Sequence, residues 1–360
     1  TDMLPNQSVS TIAMAPSDPD VVYAGTGEGF MIDFMIRGLG IYRSFDRGLT
    51  WEHLRSTIED APDGAFKWVN DIVVSPTDPH RVYAATRFGV WRSEDAGETW
   101  SVVLANPEYI SSQSESRSCA VGATELAIRT DSVPDVIFAA FGSWDRGGLY
   151  RSTDGGETWE EITPTSSRQG RMSIAISPSN NNVIYVSTAQ NGSGTYGKLE
   201  NIFRSNDGGG TWSARVNMAS ALGPWLLSFS AGTEGCMSYP MYHMGQYAHA
   251  IAVDPLDSGI LWLGSVYLFR SDNGGRTFAY ADGPLGGARA FYHLNHPDNH
   301  AILFHPEYDG GGNQTVFVAS DGGIARSDSG RGRTSPSFCP LTGNIAWTNL
   351  NNGYATTQFY

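Results

Sequence analysis

Short apolar runs recur along this chain, each broken by a cluster of proline, glycine and Asp or Asn. Ile12-Ala-Met-Ala-Pro-Ser-Asp-Pro-Asp-Val-Val-Tyr-Ala-Gly25 and Ile72-Val-Val-Ser-Pro-Thr-Asp-Pro-His-Arg-Val-Tyr-Ala-Ala85 are two copies, and others start at Leu126, Ile174, Ile251 and Ile302. Each reads as two β-strands joined by a turn whose proline and Asx residues preset the backbone. The first strand is apolar on both faces, as an innermost strand packed between neighbouring sheets requires. A third strand follows in the pattern Gly-Ile-Tyr-Arg-Ser, as at Gly40 to Ser44.

A second repeat runs in phase with the first. Arg43-Ser-Phe-Asp-Arg-Gly-Leu-Thr-Trp51 recurs as Arg92-Ser-Glu-Asp-Ala-Gly-Glu-Thr-Trp100, Arg151-Ser-Thr-Asp-Gly-Gly-Glu-Thr-Trp159 and Arg204-Ser-Asn-Asp-Gly-Gly-Gly-Thr-Trp212. A weaker copy is Arg270-Ser-Asp-Asn-Gly-Gly-Arg-Thr-Phe278, and the weakest begins at Arg326-Ser-Asp-Ser-Gly, with an insertion that delays its aromatic residue to Trp347. Ser44, Ser93, Ser152, Ser205, Ser271 and Ser327 lie 49, 59, 53, 66 and 56 residues apart, the period of a propeller blade with variable loops. The box explains itself mechanically. Its Asp accepts N–H bonds inside a turn, its glycine supplies positive φ, its hydroxyls tie the hairpin ends, and its tryptophan offers an apolar body to the adjoining blade.

The predicted fold is therefore all-β, a β-propeller of four-stranded blades (a to d) with the box as the c–d hairpin and strand d starting at the tryptophan. One propeller spans 1–360, with blades at about 9–55, 69–105, 123–164, 171–216, 247–282 and 299–352. Residues 354–360 read either as the start of a seventh blade or as a strand closing a six-bladed ring.

The Ser-x-Asp-x-Gly-x-Thr-Trp pattern resembles the BNR or Asp-box repeat of sialidases, oligoxyloglucan-degrading glycoside hydrolases, sortilin-type receptor propellers and a photosystem II assembly factor. Tyr23-Ala-Gly-Thr-Gly-Glu-Gly29, Ser320-Asp-Gly-Gly-Ile324 and the ending Leu350-Asn-Asn-Gly with Thr-Gln-Phe-Tyr360 look most like the sortilin and xyloglucanase-like group. The resemblance covers nearly the whole chain and implies the fold; the motif serves the scaffold and leaves function open. The Arg-Ile-Pro motif of sialidases does not occur here, which disfavours that activity. In xyloglucanase-like enzymes a catalytic Asp sits in a first-blade Thr-Asp-Ile-Gly-Gly segment. Thr26-Gly-Glu28-Gly stands at a comparable place without matching it.

Composition narrows the partners. The 360 residues carry a net charge of −14, which repels phosphate backbones, and no Lys/Arg-rich run offsets it, so nucleic acid is excluded. No apolar run is long enough to span a membrane. The chain starts at Thr1 with no signal peptide, as either a trimmed mature product or a fragment would. Cys119, Cys236 and Cys339 fit no zinc or redox spacing; one disulfide with a free thiol and three free thiols both remain open. Sequons stand at Asn6, Asn191 and Asn313.

Propeller ligands bind where the b–c and d–a loops converge. Those loops hold Glu28, Met31, Asp33, Phe34 and Met35 in blade 1, Trp68, Asn70 and Asp71 ahead of blade 2, Trp144, Asp145 and Arg146 in blade 3, and Asp321 in blade 6. Glycoside hydrolysis needs two carboxyl groups roughly 5–10 Å apart, for which Glu28, Asp71 and Asp321 are the candidates; the alternative is that they bond loop backbone. His243, His249, His293, His296, His300 and His305 fall within one stretch. His296-Pro-Asp298-Asn-His300 precedes strand a of blade 6, and His249 occupies the matching place in blade 5. His296, Asp298 and His300 are the weak metal candidates, against a polar pocket lining; no cofactor is firmly implied. An insertion at about 217–247 carries Leu222, Pro224, Trp225, Leu226, Leu227, Phe229, Met237, Tyr239, Met241, Tyr242 and Met244. It forms either an adaptable apolar rim for a partner or a self-packed cover. The reading is a secreted or periplasmic interaction propeller binding protein or glycan through top-face loops, including Trp68, Trp144, Asp145, Trp225, Tyr242, His249, His296 and His300. The alternatives are a xyloglucanase-like glycoside hydrolase and an assembly factor docking on a membrane complex.

Overall fold

The computed structural model describes residues 8–29, 36–58, 64–105, 122–143, 147–164, 169–192, 194–220, 222–230, 241–281, 296–337 and 343–351. Met31, Asp33, Phe34, Met35, Trp144, Asp145, Arg146, the three cysteines and residues 354–360 lie outside them. The described residues form six four-stranded antiparallel sheets, each a simple meander, and these are the blades of a β-propeller. The innermost strands are Val9–Ala15, Val69–Val74, Ala123–Ile128, Gln169–Ile176, Ala250–Val253 and Asn299–Phe304. No helix among the described residues is long and apolar enough to cross a membrane.

The chain divides into two compact units, Thr1–Ile174 and Ala175–Tyr360. Blades 1 to 3 lie in the first; the division falls within the innermost strand of blade 4, and blades 5 and 6 lie in the second. In unit 1, Tyr23, Ile41 and Leu54 pack with Ile72, Val74, Val82 and Trp91 between blades 1 and 2. Tyr83, Ala85 and Val90 pack with Leu126, Ile137 and Ala139 between blades 2 and 3. In unit 2, Trp262, Ile302, Val316, Val318 and Trp347 fill the space between blades 5 and 6.

The box works as a hairpin staple. Asp46 Oδ1 accepts the Thr50 N–H at 2.8 Å and the Ser44 hydroxyl at 2.7 Å, while Oδ2 accepts the Thr50 hydroxyl at 2.6 Å. Ser44 Oγ in turn accepts the Gly48 N–H. The same bonds recur around Asp95, Asp154 and Asp207, and Asn273 accepts the matching Thr277 N–H. The tryptophan does more than fill space: Trp51, Trp100 and Trp159 each donate the indole N–H to the box glycine carbonyl. Strand d starts one residue after the tryptophan, at Glu52, Ser101, Glu160 and Ser213, because the ring turns back over its own hairpin. In blade 6, Thr348 pairs with Arg326 as Glu52 pairs with Arg43, so Trp347 is the delayed box aromatic.

One detail departs from the sequence reading, and the insertion takes one of the two forms that reading left open. The innermost strands are not buried on both faces throughout: Ile12 and Met14 of blade 1 and Leu303 of blade 6 are exposed. The described part of the insertion is largely a cover. Leu222, Leu226 and Leu227 are buried in the core of unit 2, with Trp225 and Phe229 packed against it. The hairpin Ser228–Ser230 with Met241–His243 stacks Tyr242 on Phe229, leaving Tyr242 exposed.

Candidate functional site

In unit 1 the carboxylates are bound into the scaffold. Asp71 and Asn70 lie inside the innermost strand of blade 2, not ahead of it. Asp71 Oδ1 accepts the Thr11 hydroxyl of blade 1 at 3.1 Å and the Ile72 N–H at 2.8 Å; Oδ2 accepts the Leu126 N–H of blade 3 at 2.8 Å. One side chain thereby ties three innermost strands. Burial pushes its pKa up to about 6, while these donors pull it down. Glu125 repeats the device one blade on, accepting the Ile174 N–H at 2.8 Å and the Ser173 hydroxyl at 3.0 Å. Burial raises its pKa to about 8, with the Ile174 N–H acting to lower it and the Asp71 charge to raise it.

Buried Arg171 interacts electrostatically with Glu125 and Glu28, and the Glu28 backbone N–H bonds the Ile36 carbonyl. Trp68 is buried with the Arg37 and Arg87 guanidinium groups over its ring at 5.8 and 5.2 Å, an arrangement that occupies the ring rather than offering it to a sugar. The sequence reading missed Glu125 and Arg171. For Glu125 the signal was register: Thr11, Asp71, Glu125 and Ser173 each stand immediately before the matching apolar residue of their innermost strand, Ile12, Ile72, Leu126 and Ile174.

Unit 2 gathers several of the predicted residues. Asp321 and Gly322 form the turn between strands Val316–Ser320 and Gly323–Ser327, and His300 lies inside the innermost strand Asn299–Phe304. Asp321 accepts the Tyr247 hydroxyl on both oxygens at 2.9 Å and meets His300 Nε2 at 2.6 Å. The rings of Tyr247 and His300 stand edge to face with centroids 5.0 Å apart. His296 lies so close to Gly322 that a Cβ there would fall 2.3 Å from the His296 Cβ, which is why only glycine fits. Asp298 sits in the left-handed region at φ 62°, its carbonyl accepting the Asp321 N–H at 3.3 Å. Its Oδ1 is buried without a hydrogen-bond partner. Burial, then the Asp321 charge, raises its pKa, opposed by His300 and His296.

His249 does stand at the place in blade 5 that His300 holds in blade 6, since Ala250 pairs with Gly264 as Ala301 pairs with Ala319. It is 2% exposed, however, with Nδ1 on the Gly245 carbonyl and Nε2 on Ser187 Oγ. Among the described residues no group of three or more His, Cys, Asp or Glu is placed to hold a metal ion.

A BNR/Asp-box repeat family model matches residues 150–161, the third box. The chain is an Asp-box β-propeller. In sequence the propeller is similar to xyloglucanases. It is 25% identical to one from Acetivibrio thermocellus over 282 residues, covering 75% of this chain and 32% of the relative. It is 26% identical to one from a Paenibacillus species over 292 residues, covering 75% and 26%. It thus spans about a third or less of the length of these relatives. In structure it is similar to the xyloglucanase of Xanthomonas campestris, with a TM-score of 0.52 and 18% identity over 89% of this chain and 50% of that one. It is also similar to PorZ, a surface component of the type-IX secretion system of Porphyromonas gingivalis, with a TM-score of 0.55 and 15% identity over 94% and 41%. These structural likenesses carry the fold alone.

Proposed function

We propose that the propeller is a glycan-binding module whose contact surface in unit 2 centres on Asp321. The observation that carries this reading is the pinned carboxylate. Tyr247 and His300 hold Asp321 in one orientation, on a turn where its side chain is 11% exposed and that of His300 35%. Sugar hydroxyls are recognised by fixed acceptors beside aromatic rings, and a hydrogen bond to a charged acceptor contributes about 1.5–3 kcal/mol. Among the described residues of unit 1, Asp71 and Trp68 are engaged by the scaffold, through the bonds made by Asp71 and the guanidinium groups over Trp68. The xyloglucanase names of the sequence relatives favour a β-glucan type chain as ligand. A polymer of that size is met outside the cytoplasm, so an extracellular or periplasmic location follows from this reading.

The test is calorimetric titration with xyloglucan oligosaccharides. Wild type should bind, and Asp321→Asn and Tyr247→Phe should each weaken binding about tenfold, the equivalent of ~1.4 kcal/mol. Absence of binding, or affinity unchanged in Asp321→Ala, would sink the proposal.

A second reading has one specific observation behind it. Asp298, buried and with its pKa raised beside Asp321, makes two unlike carboxyl groups, the division of labour that glycoside hydrolysis uses. This is an alternative pair to Glu28 with Asp71. It requires new reducing ends to appear with wild type and to vanish in both Asp298→Asn and Asp321→Asn.

A further inference from the structure

We propose that the joint between blades 4 and 5, within unit 2, is an anion site. Arg204, Arg215 and Arg276 there take a doubly charged tetrahedral oxyanion, a phosphate or sulfate group, at a place where other joints hold a carboxylate. Neighbouring blades are joined elsewhere by a recurring latch. The arginine that opens a box reaches the next blade and donates to the carbonyl of that box's fifth residue. Arg43 Nη1 bonds Ala96 O at 2.6 Å, Arg92 Nη1 bonds Gly155 O at 2.7 Å, and Arg270 Nη1 bonds Gly330 O at 2.5 Å.

Every box arginine except Arg204 also has an acid. That acid stands at the third position of the same box, at the first residue of strand d, or at the seventh position of the next box. Arg43 pairs with Glu52 and Glu98, Arg92 with Glu94 and Glu157, Arg151 with Glu160, Arg270 with Asp272, and Arg326 with Asp328. For Arg204 the three places hold Asn206, Ser213 and Arg276, so the third of them presents a positive charge in place of a negative one. Among the described residues the Arg204 guanidinium has no ion pair and no hydrogen bond; it lies over the Tyr185 ring, 5.4 Å from its centroid.

Arg215 makes the latch here instead, its Nε donating to the Gly274 carbonyl at 2.8 Å, and it brings a second guanidinium to the same place. A Cβ on Gly274 would fall 2.9 Å from Arg204 Nη1, 3.2 Å from Arg215 Nη2 and 3.2 Å from the Tyr185 hydroxyl, so both guanidinium groups converge on the fifth residue of the box. Arg276 follows two residues later and is exposed. Burial, then the charges of Arg276 and Arg204, lower the Arg215 pKa, with Tyr185 acting against them. The acid that acts on Tyr185 is Asp257, and its Oδ1 already accepts the Gly259 N–H at 2.8 Å. Three guanidinium charges thus face one carboxylate, and a dianion matches the excess. Like charges held together destabilise a joint unless a counter-ion lies between them. Guanidinium forks fit the oxygens of phosphate and sulfate, to which they donate paired N–H bonds. The chain as a whole carries −14, so this excess is local and suits one bound group, not a long polyanion.

The test is calorimetric titration of the chain with inorganic phosphate and with sodium sulfate at fixed ionic strength, against sodium chloride. Wild type should bind phosphate or sulfate saturably, at one site per chain. Arg276→Glu places an acid where Glu98 and Glu157 stand in other boxes. It should weaken binding at least about tenfold and raise the melting temperature in chloride, because the new acid pairs with Arg204. Arg204→Gln should weaken binding similarly without that gain. Glucose 6-phosphate separates the two sources of the group: tighter binding than inorganic phosphate assigns the site to an ester, weaker binding to the free ion. Absence of saturable binding overturns the proposal. So does equal affinity in wild type and Arg276→Glu, the mark of a general salt effect on the surface. Saturation by malonate with phosphate and sulfate inert would assign the joint to a dicarboxylate and would equally overturn it.

Discussion

Replacing Asp71 by asparagine separates two opposed contributions by pH. The carboxylate accepts three hydrogen bonds, two on Oδ1 and one on Oδ2. Asparagine keeps one acceptor oxygen and turns an amide group toward the remaining donor, most simply the Leu126 N–H. Leaving a buried N–H unpaired costs about 1–3 kcal/mol. Against this, the substitution removes a charge that is costly to bury. Folded Asp71 titrates at about 6 rather than 3.8, and at ~1.4 kcal/mol per pH unit that amounts to about 3 kcal/mol. A carboxyl group raised on folding contributes stability that is complete below its unfolded value and is lost as pH climbs through the folded value. At pH 4 wild type bears almost none of the charge-burial penalty, so Asp71→Asn shows the lost bond alone, a drop of about 2 kcal/mol. For a domain of about 150–250 residues this corresponds to ~4–8 °C in melting temperature. At pH 8 the two effects nearly cancel, and the variant should melt within a few degrees of wild type. Thermal melts followed by circular dichroism at both pH values make the comparison. A destabilisation that is equal at the two pH values, or larger at pH 8, refutes the reasoning and would mean that Asp71 stays ionised throughout.

Asp95→Ala removes the acceptor for the Thr99 N–H, the Thr99 hydroxyl and the Ser93 hydroxyl; a loss of about 1–2 kcal/mol in denaturant titration is expected, and wild-type stability would show that the box is not the staple described. Arg270→Met leaves the Gly330 carbonyl without its guanidinium donor and should cost about 1–3 kcal/mol. An unchanged melt would discount the latch between blades 5 and 6. At low pH, Asp46, Asp154 and Asp207 act in the opposite sense to Asp71. Held at about 2 by their threonine and serine donors, they contribute stability that is present above the ordinary aspartate range and lost as pH falls through about 2. A pH series should therefore show unfolding setting in on the approach to pH 2, and retention of full stability there would contradict the assignment.

The blade architecture was legible in the sequence because its determinants are local. A box of nine residues carries its own turn donors and acceptors, and the alternation of apolar runs with Pro/Asx turns sets the strands; neither needs knowledge of what lies across the molecule. Even the displaced sixth aromatic, Trp347, could be placed from the repeat alone. The roles of polar side chains were not local. Asp71 and Asp321 look alike along the chain, each an acid at a loop or strand end. Tertiary packing brought Thr11 and Leu126 to the first, making it a cross-blade tie, and set the second on a turn where Tyr247, 74 residues away, and His300 hold it with its side chain 11% exposed. His249 and His300 occupy matching places in their blades, yet Ser187 and the Gly245 carbonyl enclose one while the other keeps an exposed edge. What decided these cases was which groups of neighbouring blades met each side chain, because burial and available donors determine whether a polar group is spent on the fold or remains free for a ligand.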